Sequence, residues 1–216
     1  MTSKEVPVIA LTGNIATGKS TAALLLSRKG AMVIDADAIA HEMYTRNPDL
    51  IKRMVEQFGE GILDPQGHID RAALGTRIFA SSPLRHMINE LTHPYIRKQM
   101  LEDHAAALQS NPPLIIHDIP LLYESKLSGI FPRVLVIAAP MAVQEERLVT
   151  QRHLSLTEAR ARINAQLPIE DKCQHATWCC ENTGSIAELE HQLDRLWPEF
   201  VQGGPQPRLD LLTTIA

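Results

Sequence analysis

The stretch ALTGNIATGKST, residues 10–21, decides the fold. It ends an apolar run with Gly13, four residues, and then Gly18-Lys19-Ser20. The run, residues 6–12, is short, rich in Val, Ile and Leu, and bounded by Pro7 and Gly13, as expected of a strand buried on both faces. Residues 19–29 read as a helix. Ala22, Ala23, Leu25 and Leu26 form its apolar stripe, Arg28 and Lys29 suit the negative end of its dipole, and Gly30 offers a C-terminal cap. A Gly-rich turn from buried strand to helix aims successive backbone N–H groups at one spot, where fixed dipoles hold phosphate oxygens. The expected nucleotide-binding set is Gly13, Asn14, Ile15, Ala16, Thr17, Gly18, Lys19, Ser20 and Thr21. In such a loop the lysine, here Lys19, reaches the β and γ phosphates and the hydroxyl, here Ser20, ligates Mg²⁺. The four residues between the glycines are free in this pattern, but Ala16 would cost on the order of 1 kcal/mol if its φ were positive.

Working outward, residues 31–34, 114–117 and 134–138 are further short aliphatic runs separated by helical patterns. Strands alternating with helices predict an α/β fold of the P-loop NTPase three-layer type with a mainly parallel sheet. Residues 36–111 show helical patterns and no convincing strand, so they predict a helical lobe over the sheet's edge. Within it, NPDL at 47–50 and SPLR at 82–85 each place a capping residue before a proline suited to the first helical position. SLTE at 155–158 and SIAE at 185–188 match the reciprocal capping box, predicting helices over 155–166 and 186–200. Residues 1–202 are expected to form one domain, and residues 203–216, with QGGPQPR spanning its start, a flexible tail.

Composition narrows the partners. The 216 residues carry a formal net charge of -4, which offers no broad positive field for nucleic acid or an anionic membrane. Anion binding is therefore expected in a pocket. No run approaches the roughly 18 apolar residues of a membrane span, and no secretory pattern opens the chain, so a cytoplasmic location is expected. Oligomeric state stays open. Cys173, Cys179 and Cys180 are odd in number and lack a C-x-x-C pair, so they read as plain thiols. Cys173, His175 and Cys179 lack a fourth ligand for a metal site.

A triphosphate loop alone does not separate a kinase from a switch. DPQG at 64–67 fits the D-x-x-G of a GTPase, but it ends no buried strand and has the composition of a type I turn. No Asn-Lys-x-Asp guanine-reading motif occurs. VIDAD, residues 33–37, brings two carboxylates to the carboxyl end of the second strand. Asp35 and Asp37 share a side if the backbone stays extended; one could then accept a proton from an acceptor hydroxyl, or both could cap the following helix.

ALTGNIATGKST, VIDAD, HPYIRKQ, DIPLLYE, ERLVTQR and AQLPIEDK followed by CENTGS occur in an order and spacing that resembles the dephospho-CoA kinases, over about residues 6–200. The resemblance implies transfer of the ATP γ-phosphoryl group to the ribose 3′-hydroxyl of dephospho-CoA, with ATP and Mg²⁺ as cofactors. By the same resemblance Asp37 is the general base, supported by Asp35, and Asp118 orients Mg²⁺. Pro120, Leu121, Leu122 and Glu124 form an acceptor-side segment, although the two leucines equally suit the core. His93, beside Pro94, lies on the acceptor lobe or simply opens a helix, and Arg71 and Arg97 are candidates for the acceptor's phosphates. Residues 141–166 resemble a lid. Arg147 matches its first arginine, whereas the second falls on Gln151 with Arg152 beside it. Lys172 matches a basic position on the substrate side, and Asn182 with Gly184 the segment near the adenine. Other readings of the same residues are a different small-molecule P-loop kinase, acting on a nucleoside or nucleotide, and a nucleotide-dependent switch without an acceptor.

Overall fold

A computed structural model describes residues 5–79 and 81–213, with the backbone alone at 71, 78, 79, 82 and 85. The chain divides into two compact units, residues 1–35 with 104–208, and residues 36–103 with 209–216.

The first unit is built on five parallel strands. They are β1 (Val8–Gly13), β2 (Met32–Asp35), β3 (Ile115–Asp118), β4 (Val134–Ala138) and β5 (Trp178–Glu181), in the order β2-β3-β1-β4-β5. Parallel strands need crossover helices on both faces, so the inner strands are apolar throughout most of their length. Every residue of β1, β3 and β4 is buried. Alternation divides them between two layers. Ile9, Leu11, Ile116, Leu135 and Ile137 pack against α1 (Lys19–Arg28) and α9 (Ile186–Val201), each aliphatic side chain so buried contributing roughly 1.5–3 kcal/mol. On the opposite face β4 meets α8 (Ile169–Gln174). There His117 of β3 also meets His104, on the last turns of α5 (Ser82–Gln109). This is the three-layer α/β architecture of P-loop NTPases. Arg133 closes the C-terminal end of α9, donating to Glu199 O at 2.7 Å and Phe200 O at 3.2 Å, where the helix dipole favours a cation.

Both expected capping boxes form, Ser155 with Glu158 at α7 (Leu156–Asn164) and Ser185 with Glu188 at α9. The thiol reading needs correction. Cys173 and Cys179 form a disulfide with Cα atoms 5.4 Å apart, because the chain turns back from α8 into β5, and only Cys180 remains a thiol. Burial pushes that thiol up to about 11. β5, WCCE, is an edge strand with Cys180 as its single buried residue, and so it carries no apolar signature in the sequence.

The second unit is helical: α2 (Ala36–Arg46), α3 (Pro48–Phe58), α4 (Arg71–Phe79) and α5 as far as residue 103. Met43, Leu50, Met54, Phe58, Ile62, Leu74 and Ile88 form its core. Asn47 caps α3 as NPDL predicts, its side chain accepting from Leu50 N at 3.0 Å. DPQG is a turn: Gly67 N donates to Asp64 O at 3.0 Å, between the bridged residues Leu63 and Ile69. Two expectations shift. Ser81 rather than Ser82 precedes α5, its hydroxyl accepting from Leu84 N at 3.4 Å. His93 and Pro94 lie inside α5 and do not open a helix, since a 28-residue helix tolerates one missing N–H. The expected flexible tail carries a 3-10 turn, Leu209–Thr213, with Leu212 buried. No described helix is long and apolar enough to cross a membrane.

Candidate active site

β1 lies between β3 and β4 and ends at Gly13, so the turn into α1 opens at the middle of the sheet's carboxyl edge. Gly13 is required by crowding: a Cβ there would stand 2.5 Å from Ile137 O. Gly18 is required twice over, by its φ of 92° and by Asn182 Nδ2, which a Cβ would meet at 2.1 Å. Ala16 does take a positive φ, 61°, the strained geometry anticipated from its side chain.

What holds the loop is a set of bonds to its carbonyl side. Asn14 O accepts from Thr17 Oγ1 at 2.8 Å, Ala16 O from Arg147 at 3.1 Å, Thr17 O from Asn182 Nδ2 at 2.8 Å, and Gly18 O from Ala22 N at 3.1 Å. Two more tethers come from the segment after α7. Asn14 Nδ2 donates to Leu167 O at 2.9 Å, and Ile15 N to Gln166 Oε1 at 2.7 Å. Among the described residues the amides of Ala16, Gly18, Lys19 and Ser20 donate to no protein acceptor. Unpaired N–H groups at a helix N-terminus form an anion cradle.

Beside the cradle, Lys19 Nζ lies 2.5 Å from Asp118 Oδ1, and Asp118 is 2 % exposed at the end of β3. In register, Asp118 pairs with Asp35 of β2, so two carboxylates end adjacent strands. Mg²⁺ is commonly held by one or two carboxylates plus substrate phosphates rather than by a protein cage. The donor set here fits that mode: Ser20 is exposed at the start of α1, and the Asp118 carboxylate lies against Lys19, the residue before Ser20.

The remaining sequence candidates fall into groups. Asp37 and Asp35 do not share an extended backbone; the helix begins at Ala36, so Asp37 sits exposed in the first turn of α2. Arg147, on α6 (Met141–Arg152), bridges Ala16 O to Asn182 O at 2.9 Å and so braces the loop. Gln151 and Arg152 are exposed at the end of α6, while Arg160 of α7 pairs with Glu145 at 2.7 Å. Pro120 O accepts from Thr12 Oγ1 at 3.1 Å; Leu122 is core, but Leu121 is 48 % exposed. Lys172 has a fully buried side chain whose Nζ lies 2.7 Å from Glu124 Oε1. Gly184 abuts the carboxylate of Glu188, the capping side chain of α9.

In the helical unit, His93 and Arg97 stand one turn apart on α5. Burial and the Arg97 charge hold His93 below its ordinary range. The side chain of Arg71 lies outside the described residues. Gln166 and Leu167 are loop contacts that nothing local in the sequence marks, because their partners are about 150 positions away.

The dephospho-CoA kinase family model matches residues 7–188. A dephospho-CoA kinase of Anaeromyxobacter dehalogenans is 42 % identical over 94 % of this chain and 95 % of its own length. One from Bacillus licheniformis is 40 % identical over 88 % and 94 %. A Thermus thermophilus crystal structure superposes with a TM-score of 0.78 at 34 % identity, covering 91 % of this chain and 98 % of its own. The dephospho-CoA kinase structure from Campylobacter jejuni gives 0.65 at 28 %, covering 90 % and 97 %.

Proposed function

Because the chain belongs to the dephospho-CoA kinase family, we propose that it transfers the γ-phosphoryl group of ATP to the ribose 3′-hydroxyl of dephospho-CoA, releasing ADP and coenzyme A. The observation that carries this reading is the pairing of a family match over most of the chain with an anion cradle whose amides, among the described residues, donate to no protein acceptor.

In the reaction the 3′-oxygen forms a bond to the γ-phosphorus as the bridging P–O bond breaks toward ADP. The amides of Ala16, Gly18, Lys19 and Ser20 hold the phosphates, and the Lys19 ammonium meets the charge that spreads over the moving group. Asp37 takes the hydroxyl proton as general base. Ser20 and Asp118 are the residues that would hold Mg²⁺, which supplies charge neutralisation between the phosphates. Arg71, His93 and Arg97 are assigned to the acceptor and Arg152 to the lid that meets the transferring group, all from the family pattern. A cytoplasmic location goes with this reading. A Cys173–Cys179 bridge would be held reduced there, so turnover is expected not to need it.

The test is coupled ADP release by the purified chain with Mg-ATP, comparing dephospho-CoA, nucleoside monophosphates and no acceptor. Turnover that requires dephospho-CoA supports the reading; a preference for AMP or CMP overturns it.

A further inference from the structure

The geometry points to Glu124 and Lys172 as positioning residues for the ATP loop, acting through Gln166 and Leu167, and not as ligands of the acceptor. Glu124 follows β3, and its Oε1 accepts from Leu167 N at 3.0 Å while lying 2.7 Å from Lys172 Nζ. Leu167 O in turn accepts from Asn14 Nδ2, and Gln166 Oε1 from Ile15 N. One carboxylate thus fixes a two-residue strut whose other side grips the first two residues after Gly13. The Lys172 side chain is fully buried, so its ammonium meets Glu124 instead of solvent.

A buried ion pair is a poor source of stability, since desolvation offsets much of its attraction; what it supplies is a fixed place for its members. The loop has a use for that. Ala16 holds a positive φ against its own side chain, so the cradle is not the conformation the sequence adopts unaided. Strain of this kind persists only where surroundings over-determine the backbone. The Glu124 hub is one such constraint, and Arg147 with Asn182 is another.

This inference rests on residues 13–21 holding ATP, and its test reads ATP alone. Calorimetric titration of the full chain with Mg-ATP, without acceptor, is compared for wild type, Lys172→Met, Glu124→Gln, the double variant and Gln166→Ala, alongside steady-state KM values for both substrates. Glu124→Gln leaves the buried Lys172 ammonium uncompensated, and Lys172→Met takes away the cation that fixes the half-buried Glu124 carboxylate; loosening the loop by about an ångström is expected to weaken ATP binding roughly 10- to 100-fold. The KM for dephospho-CoA should stay within about threefold on the same argument. The double variant keeps an oxygen for Leu167 N without an unpaired charge, so it should recover most of the ATP affinity. Gln166→Ala buries no charge and should share the ATP defect. If the single variants fail to fold, the double variant and Gln166→Ala decide. A rise in acceptor KM with ATP affinity unchanged overturns the inference, as does a double variant no better than the singles. Failure of the proposed substrate would leave wild-type ATP binding intact and so reads differently.

Discussion

In the sheet unit the groups proposed to face the nucleotide are backbone amides, set by strand, turn and helix and braced from behind by Arg147, Asn182 and Gln166. In the helical unit the candidates are side chains: Asp37 on the first turn of α2, His93 and Arg97 on α5. A site made of backbone survives most side-chain changes, because the dipoles remain when a side chain is cut. A site made of side chains has no such reserve. The sharpest way to break this comparison is Asp37→Asn, expected to lower turnover roughly 10²- to 10⁴-fold while leaving ATP affinity nearly unchanged. Near-normal turnover would remove Asp37 as base. Lys19→Ala comes next, because Lys19 is the charged side chain among the groups proposed to bind the phosphates. It should cost roughly 10²- to 10³-fold in turnover and also weaken ATP binding, the amides retaining part of the grip. Unchanged ATP affinity would remove Lys19 from the proposed grip on the phosphates.

The same contrast explains what the sequence disclosed. Gly13 and Gly18 announce their geometry because a turn encodes its demands within a few residues, and the capping boxes at Ser155 and Ser185 do likewise. Pro94 suggests a helix start where α5 simply runs on, because a proline's local penalty is small against a helix of 28 residues. Leu167 and Glu124 are 43 positions apart and meet only once the sheet has formed, so no window of sequence shows that hub. Asp35 and Asp37 are legible as carboxylates but not in their relative placement, since whether the backbone turns helical at Ala36 depends on the rest of α2.

The sheet unit also carries its own pH sensitivity. His117 is buried on β3, its Nε2 lying 3.0 Å from Nδ1 of His104, and burial, with His104 adding to it, pushes His117 down to about 3. The ordinary value is 6.5. Between those limits the unfolded chain takes up a proton that the folded chain refuses, so this contribution is fully present above pH 6.5 and is lost as pH falls toward 3. Each pH unit below the ordinary value should remove roughly 1.4 kcal/mol from stability. Burial depresses His104 and His93 in the same direction, so total acid sensitivity is shared. His117→Gln keeps a hydrogen-bonding group and should flatten the denaturation-midpoint profile between about pH 6.5 and 5. Parallel profiles for the two proteins would exclude His117 from the effect.

The Cys173–Cys179 bridge separates stability from function. It closes a short loop with a sequence separation of 6, for which chain-entropy arguments give roughly 2 kcal/mol. A thiol reductant should therefore lower the thermal midpoint measurably while turnover with Mg-ATP holds. Loss of activity in step with reduction would tie the α8–β5 turn to the site, through Asn182 at the end of β5.

The smallest expected effect tests the backbone side of the comparison most directly. Ala16 occupies a φ of 61°, where an L side chain costs roughly 1–2 kcal/mol and glycine costs nothing. Glycine also has more freedom to lose from the unfolded chain, so Ala16→Gly should raise unfolding free energy by about 1 kcal/mol or somewhat less. Its effect on ATP should be smaller still, because Arg147, Asn182 and the Gln166–Leu167 strut fix the loop whichever residue stands at 16. Denaturant midpoints and Mg-ATP titration measure the two separately. A gain in stability with unchanged affinity means the tethers already hold the cradle. A gain in both would mean the strain at Ala16 is opposed only in part, and that the amides owe some of their alignment to the residue type as well as to its neighbours.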